Sequence, residues 1–93
     1  MTASMPLRAM LRHVTAGAVI MDLAGDINRD AESTLQECFS AATATGCPAL
    51  LVLNFSEAAY INSSGIALII GLLAHARQQG CPVAACGLPT LPA

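Results

Sequence analysis

The sequence predicts a small α/β domain, a mixed four-stranded β-sheet with helices packed on it, in the order β-β-α-β-α-β. Three observations lead there. Two strand-length runs, Leu7–Val14 and Ala18–Leu23, are separated only by Thr15-Ala16-Gly17. Two stretches with helical periodicity begin at Asp30 and Ser64. Each is followed by an apolar run of strand length, Ala49–Phe55 and Pro82–Cys86. Helices between successive strands demand right-handed crossovers, so the last strands are parallel and the helices lie against the sheet. The 93 residues suffice for a single domain with one modest core.

Taken in order, residues 1–6 read as a loose N-terminus. Leu7–Val14 mixes apolar and polar residues, as a strand exposed on one side does, and Ala18–Leu23 is more apolar. The short turn between them makes an antiparallel hairpin. Ala24-Gly25-Asp26 is expected to break the second strand. In the first helix, Ala31, Leu35, Cys38, Phe39 and Ala42 form one apolar stripe, while Glu32, Ser33, Gln36, Glu37 and Ser40 face away. Asp30 or Asn28 can cap its first turn, and Glu32 suits the positive end of its dipole. Gly46 and Pro48 end it. Ala49–Phe55 is apolar without alternation, as in a central strand covered on both faces.

Ser56–Tyr60 then connects to a second helix over Ser64–Gln79, with Gly80 closing it and Arg77 in its last turn. Its apolar residues cover more than half its circumference, so it needs a neighbour beyond the sheet. Gly71 in mid-helix costs about 1 kcal/mol relative to Ala, which suggests close packing there. Pro82–Cys86 is expected as a short buried strand, and residues 88–93 as an irregular end.

Hydrophobic residues make up 55% of the chain and charged ones 11%, with a formal net charge of −2 and no lysine. The arginines are scattered, which excludes a nucleic-acid surface. The apolar run Gly65–Ala74 is far shorter than the roughly 20 residues a spanning helix needs. After Ala16–Met21 comes Asp22, with no convincing cleavage site. The chain is expected to be soluble, unsecreted, cytoplasmic and free of membrane insertion. Cys38, Cys47, Cys81 and Cys86 lack C-x-x-C spacing, so no zinc site is expected, and without a signal sequence they read as buried free thiols. No cofactor or catalytic residue is indicated. There is no G-x-S-x-G, and neither His13 nor His75 is placed as a base. His75 falls opposite the main apolar arc, as a solvated surface residue.

The chain's best candidate site is Tyr60-Ile61-Asn62-Ser63-Ser64-Gly65, at the start of the second helix. Free backbone N–H groups and a positive dipole end suit an anion there, or a serine that can become one. Asn and Ser before a helix are also ordinary caps. Ser63 is expected as the plain cap, leaving the hydroxyl of Ser64 freer.

The run L-V-L-N-F-S-E-A-A-Y-I-N-S-S-G-I-A-L-I-I-G-L-L-A-H-A-R-Q-Q-G, Leu51 to Gly80, resembles the STAS family of bacterial anti-sigma factor antagonists. There a strand of the V-L-D-L-S type leads into D-S-S-G-L and a helix ending in R-x-x-G. The β-β-α order before the run and V-A-A-C-G-L after it also match. The resemblance implies a non-enzymatic regulatory binding module. Its partners would be an anti-sigma factor with serine kinase activity and a serine phosphatase. The phosphorylated residue would be Ser64, with Ser63 the second choice. Asn62, Ser63, Ser64, Gly65, Ile66 and Arg77 would contact the partner.

Asn54 and Asn62 stand where the family pattern has aspartate. The family also continues past the position of Pro89 into a further helix, whereas this chain ends at Ala93. Either the chain is a truncated member or a minimal one, and without that cover apolar surface on the second helix or the sheet is expected to be exposed, favouring dimers, a homodimer among them, or larger assemblies. The alternative function is a non-phosphorylated STAS subunit or scaffold in a larger signalling or transport complex.

Overall fold

The computed structural model describes residues 5–88. Strands β1 (Arg8–His13), β2 (Ala18–Ile27), β3 (Leu50–Ile61) and β4 (Val83–Cys86) form one sheet in that spatial order. β1 and β2 are an antiparallel hairpin, and β2, β3 and β4 run parallel. Helix α1 (Glu32–Ala42) joins β2 to β3, and α2 (Ser63–Gln78) joins β3 to β4. Because the strands advance in one direction, both right-handed crossovers put their helices on the same face.

Alternation along the strands follows from that one-sided cover. Val19, Met21, Leu23 and Ile27 of β2 and Leu51, Leu53 and Phe55 of β3 are buried. The residues between them, such as Ile20, Asp22, Val52 and Asn54, are half-buried. Among the described residues β3 is therefore covered on one face only, and its continuous apolar run does not report a second layer. The expected α1 stripe of Ala31, Leu35, Cys38, Phe39 and Ala42 is buried throughout. A 3-10 turn at Arg29–Ala31 precedes the helix, and Asn28 caps it by accepting a hydrogen bond from the Asp30 N–H at 2.9 Å.

Both central strands run further than the sequence predicts. Gly25 does not end β2. It lies in the strand at φ +104°, and a Cβ on it would meet the Pro6 carbonyl oxygen at 2.6 Å. The absent side chain admits the Met5-Pro6 backbone, which is held by Asp26 N–H to Met5 O at 2.8 Å and Met5 N–H to Asp26 Oδ2 at 3.0 Å. Of the N-terminus read as loose, residues 1–4 lie outside the described residues, as do 89–93 of the irregular end. β3 likewise continues through Ser56–Tyr60, because β2's extension offers it partners from Glu57 to Ile61 across two register shifts. β4 is not buried: Ala84, Ala85 and Cys86 are exposed, since it is an edge strand and none of the described residues covers its outer face.

Cys47 and Cys81 are joined by a disulfide, against the expectation of free thiols. Cys38 is the buried thiol expected, and burial pushes its pKa up, whereas Cys86 is free and exposed. Both bonded cysteines lie in Gly-Cys-Pro triplets, Gly46-Cys47-Pro48 and Gly80-Cys81-Pro82. Each triplet follows a helix and precedes a strand, and since β3 and β4 are parallel neighbours the two meet at one end of the sheet. With a sequence separation of 34, the loop-closure argument gives this bond roughly 3–4 kcal/mol of stability over the reduced chain.

Gly71 is not held by close packing: nothing lies within 4 Å of where its Cβ would stand. It borders an open groove of about 530 Å³ between α1 and α2, floored by Leu35, Phe39, Leu68 and Leu72. The ring of His75 closes one side, edge-on to Phe39 at 5.3 Å. Gly71→Ala should therefore gain about 1 kcal/mol from helix propensity alone. A urea titration reads this as a higher midpoint at unchanged slope, and a lower midpoint would mean the groove has no room for a methyl.

Candidate functional site

The start of α2 is fixed by the end of β2. Asn62 is extended at the close of β3, and its Oδ1 accepts a hydrogen bond from the Gly65 N–H at 2.8 Å. It is the cap, and Ser63, expected in that role, is the first helical residue. The Asn62 N–H donates to the Ile27 carbonyl at 3.3 Å. Gly65 is buried directly against that carbonyl, with an added Cβ falling 1.8 Å from the Ile27 oxygen. No side chain larger than hydrogen fits without moving backbone. The first turn of α2 is thus pressed onto Ile27, and Ser63 and Ser64 are exposed beside it.

From this end an exposed stripe runs down α2. Ile66, Ile70 and Leu73 are 52%, 59% and 39% exposed, and Arg77 continues the 4-3-4 spacing. Tyr60, at the end of β3, is exposed as well. The helix turns only Gly65, Leu72 and Ala76 fully into the core, with Leu68 and Ile69 half-buried. Of the candidate contact residues, Asn62, Ser63, Ser64, Gly65 and Ile66 are therefore one locus. Arg77 lies 13 residues beyond Ser64, roughly 20 Å along the axis.

Sequence reading passed over Ile70, Leu73 and Ile27 as site residues. Small residues do not single out the inward line, since Gly65 and Ala76 are buried but Ala67, Gly71 and Ala74 are exposed, so the sequence holds no separate signal for Ile70 and Leu73. Nothing in the sequence marks Ile27, whose contribution is a backbone carbonyl. His75 is exposed and 11 residues from Ser64, too far to act as its base, and its Nε2 lies 3.1 Å from Gln79 Nε2.

A second polar cluster crosses the uncovered face of the sheet. Asp22 accepts from Arg12 and, at 2.8 Å, from Asn54 Nδ2. Asn54 Oδ1 in turn accepts from the Ser56 N–H at 3.1 Å and the Ser56 hydroxyl at 2.9 Å. The hydrogen bond from Arg12, then that from Asn54, hold the Asp22 carboxyl below the usual carboxylate range, and Asp22 raises the Arg12 pKa. Among the described residues no His, Cys, Asp or Glu group could hold a metal ion. Nor is any of their helices long and apolar enough to cross a membrane.

A family model described as Mlab, STAS domain matches residues 10–93. No curated protein matches the chain. Among solved structures, the chain is similar to the anti-sigma factor antagonist SpoIIAA in its unphosphorylated form. The TM-score is 0.67 at 21% identity, covering 88% of this chain and 74% of that one. The Bacillus cell fate determinant SpoIIAA in the phosphorylated form gives 0.61 at 23%, covering 90% and 74%. An anti-sigma factor antagonist from Mycobacterium paratuberculosis gives 0.67 at 20%, covering 91% and 74%. At these identities the likeness is one of fold.

Two outcomes follow from this geometry. Asn62→Ala removes the cap and should lower stability by about 1 kcal/mol in a denaturant titration; an unchanged midpoint would mean that Asn62 does not hold the turn. The depressed Asp22 pKa stabilises the fold above the ordinary carboxylate range, and that contribution is lost as pH falls through the folded value. Asp22→Asn should therefore flatten the acid limb of a stability-versus-pH curve, whereas an identical limb would assign acid sensitivity to other carboxylates.

Proposed function

The chain belongs to the STAS domain family, and on that premise we propose that it is a non-enzymatic regulatory binding module switched by phosphorylation of Ser64. Its partners are an anti-sigma factor with serine kinase activity and a serine phosphatase that resets it. The observation that carries this reading is the exposure of Ser63 and Ser64 on a turn anchored by Gly65, beside the apolar stripe of Ile66, Ile70 and Leu73. Ser64, in the first turn of the helix, is the modified residue, and Ser63 is the second choice.

A phosphate there adds about −1.5 to −2 charges at the positive end of α2, where the dipole and free N–H groups favour it. The anchor on Ile27 is made by Gly65, which is buried, and is untouched. The modification therefore leaves the fold intact and changes the surface that a partner meets. That SpoIIAA, which is similar in fold, is solved in both phosphorylated and unphosphorylated forms supports such tolerance. Three partly exposed apolar side chains fall well short of the ~800 Å² per partner that a stable interface takes. They suit a reversible partner better than a permanent homodimer.

A second reading is a STAS subunit or scaffold that is never phosphorylated. Asn62 favours it, since the cap brings no negative charge beside Ser64, and the apolar stripe needs a partner whatever the state of the serine.

Intact mass and peptide mapping of the protein from its native cell separate the two. One phosphate on Ser64 supports the switch, and an unmodified chain under both growth and stress supports the scaffold. Ser64→Asp should unfold at or slightly above the wild-type midpoint, gaining about 0.3–1 kcal/mol from the helix dipole. A clear loss of stability would contradict the tolerance on which the switch depends.

A further inference from the structure

Helix α2 is mounted at its two ends more than along its length. At its start, Gly65 and Asn62 fasten it to Ile27. Along its length only Leu72 and Ala76 are fully buried beyond that turn. At its far end, the Cys81 N–H donates to the Ala76 carbonyl at 2.9 Å, and Cys81 is bonded to Cys47. The closed loop from Cys47 to Cys81 contains β3 and α2, the two elements that build the candidate site. β4, which follows, is a four-residue edge strand with Val83 half-buried and the rest exposed. Its first hydrogen bond, from the Leu51 N–H to the Pro82 carbonyl at 2.9 Å, is adjacent to the disulfide.

The two cysteines are unequal. Cys47 is exposed in the turn between α1 and β3, and Cys81 is buried at 4%. We propose that Cys47–Cys81 is a thiol–disulfide exchange site, through which a dithiol reductant controls how firmly the end of α2 and strand β4 are seated.

One thiolate of the reductant attacks the sulfur of Cys47. The Cys47–Cys81 bond breaks, its electron pair goes to the Cys81 sulfur, and that sulfur takes a proton. The second thiol of the reductant then attacks the mixed disulfide and releases Cys47. Two electrons and two protons pass from the dithiol, which becomes a disulfide, to the protein. With the bond open, the last turn of α2 and β4 are held by the four-residue pairing of β4 with β3 and by the small side chains of Ala76 and Val83, so they open locally. The consequence for binding rests on the reading of α2 as the partner face: a loosened helix presents its stripe less rigidly, and binding weakens.

The test is amide hydrogen exchange on the full chain, before and after treatment with dithiothreitol, with free thiols counted in parallel. Before treatment only Cys38 and Cys86 should react as free thiols under denaturing conditions, and afterwards all four cysteines should. Exchange over residues 76–86 should accelerate by roughly tenfold or more, while the core of β2 keeps its protection. Cys47→Ser, which removes the exposed partner and leaves Cys81 in place, should match the reduced protein and ignore dithiothreitol.

Four reactive thiols before reduction would overturn the proposal, as would equal exchange in both states. Loss of protection throughout β2 on reduction would overturn it too, because the bond would then be a staple for the whole fold. None of these readouts involves Ser64 or a partner, so their failure is distinct from failure of the phosphorylation switch.

Discussion

The approach of Gly65 to the Ile27 carbonyl is the constraint on which the rest depends. A helix start can sit this close to a neighbouring strand end only where a residue lacks a side chain, and here an added Cβ would stand 1.8 Å from oxygen. That contact sets the height and rotation of α2. Rotation in turn decides which residues face the core: Leu72 and Ala76 fall inward on the line through Gly65, and Ile66, Ile70 and Leu73 fall outward. The exposed stripe is a result of that fit.

The same contact accounts for the exposure of the two serines that follow the cap. Ser63 and Ser64 are exposed, whereas Gly65 in the same turn is buried against Ile27. Their surroundings are solvent and the free N–H groups of the helix start, with the Gly65 N–H already occupied by Asn62. The stabilising interactions and the exposed hydroxyls share one turn of helix but not one surface.

Much of this was legible in the sequence where periodicity was strong. The five-residue stripe of α1 is a 3.6-residue pattern without exceptions, and every member is buried. The order of elements and the mixed sheet were legible for the same reason. Strand ends were not, because Gly25 looks like a break until the Met5-Pro6 backbone is seen filling the space beside it. The apolar richness of α2 hid its inward line, since Ile and Leu occur on both sides of it. Gly71 misled in the opposite way, being read as a packing contact where the structure has a groove. For the cysteines, spacing along the chain was the wrong coordinate. The repeated Gly-Cys-Pro was the available signal, and it becomes a contact only once the two triplets are recognised as equivalent positions before parallel neighbouring strands.

The uncovered face of the sheet has a consequence for self-association. A four-stranded face that no described residue covers offers another sheet something to stack against, and Ile20 and Val52 would favour it. Across its middle, however, the register lines up Met10, Asp22, Asn54 and Cys86. Stacking would strip water from the Asp22 carboxylate and its partner Arg12, at a desolvation cost of about several kcal/mol per buried ion. That row keeps the face wetted. It directs association toward the helical side of the molecule, where no charge interrupts the apolar stripe before Arg77.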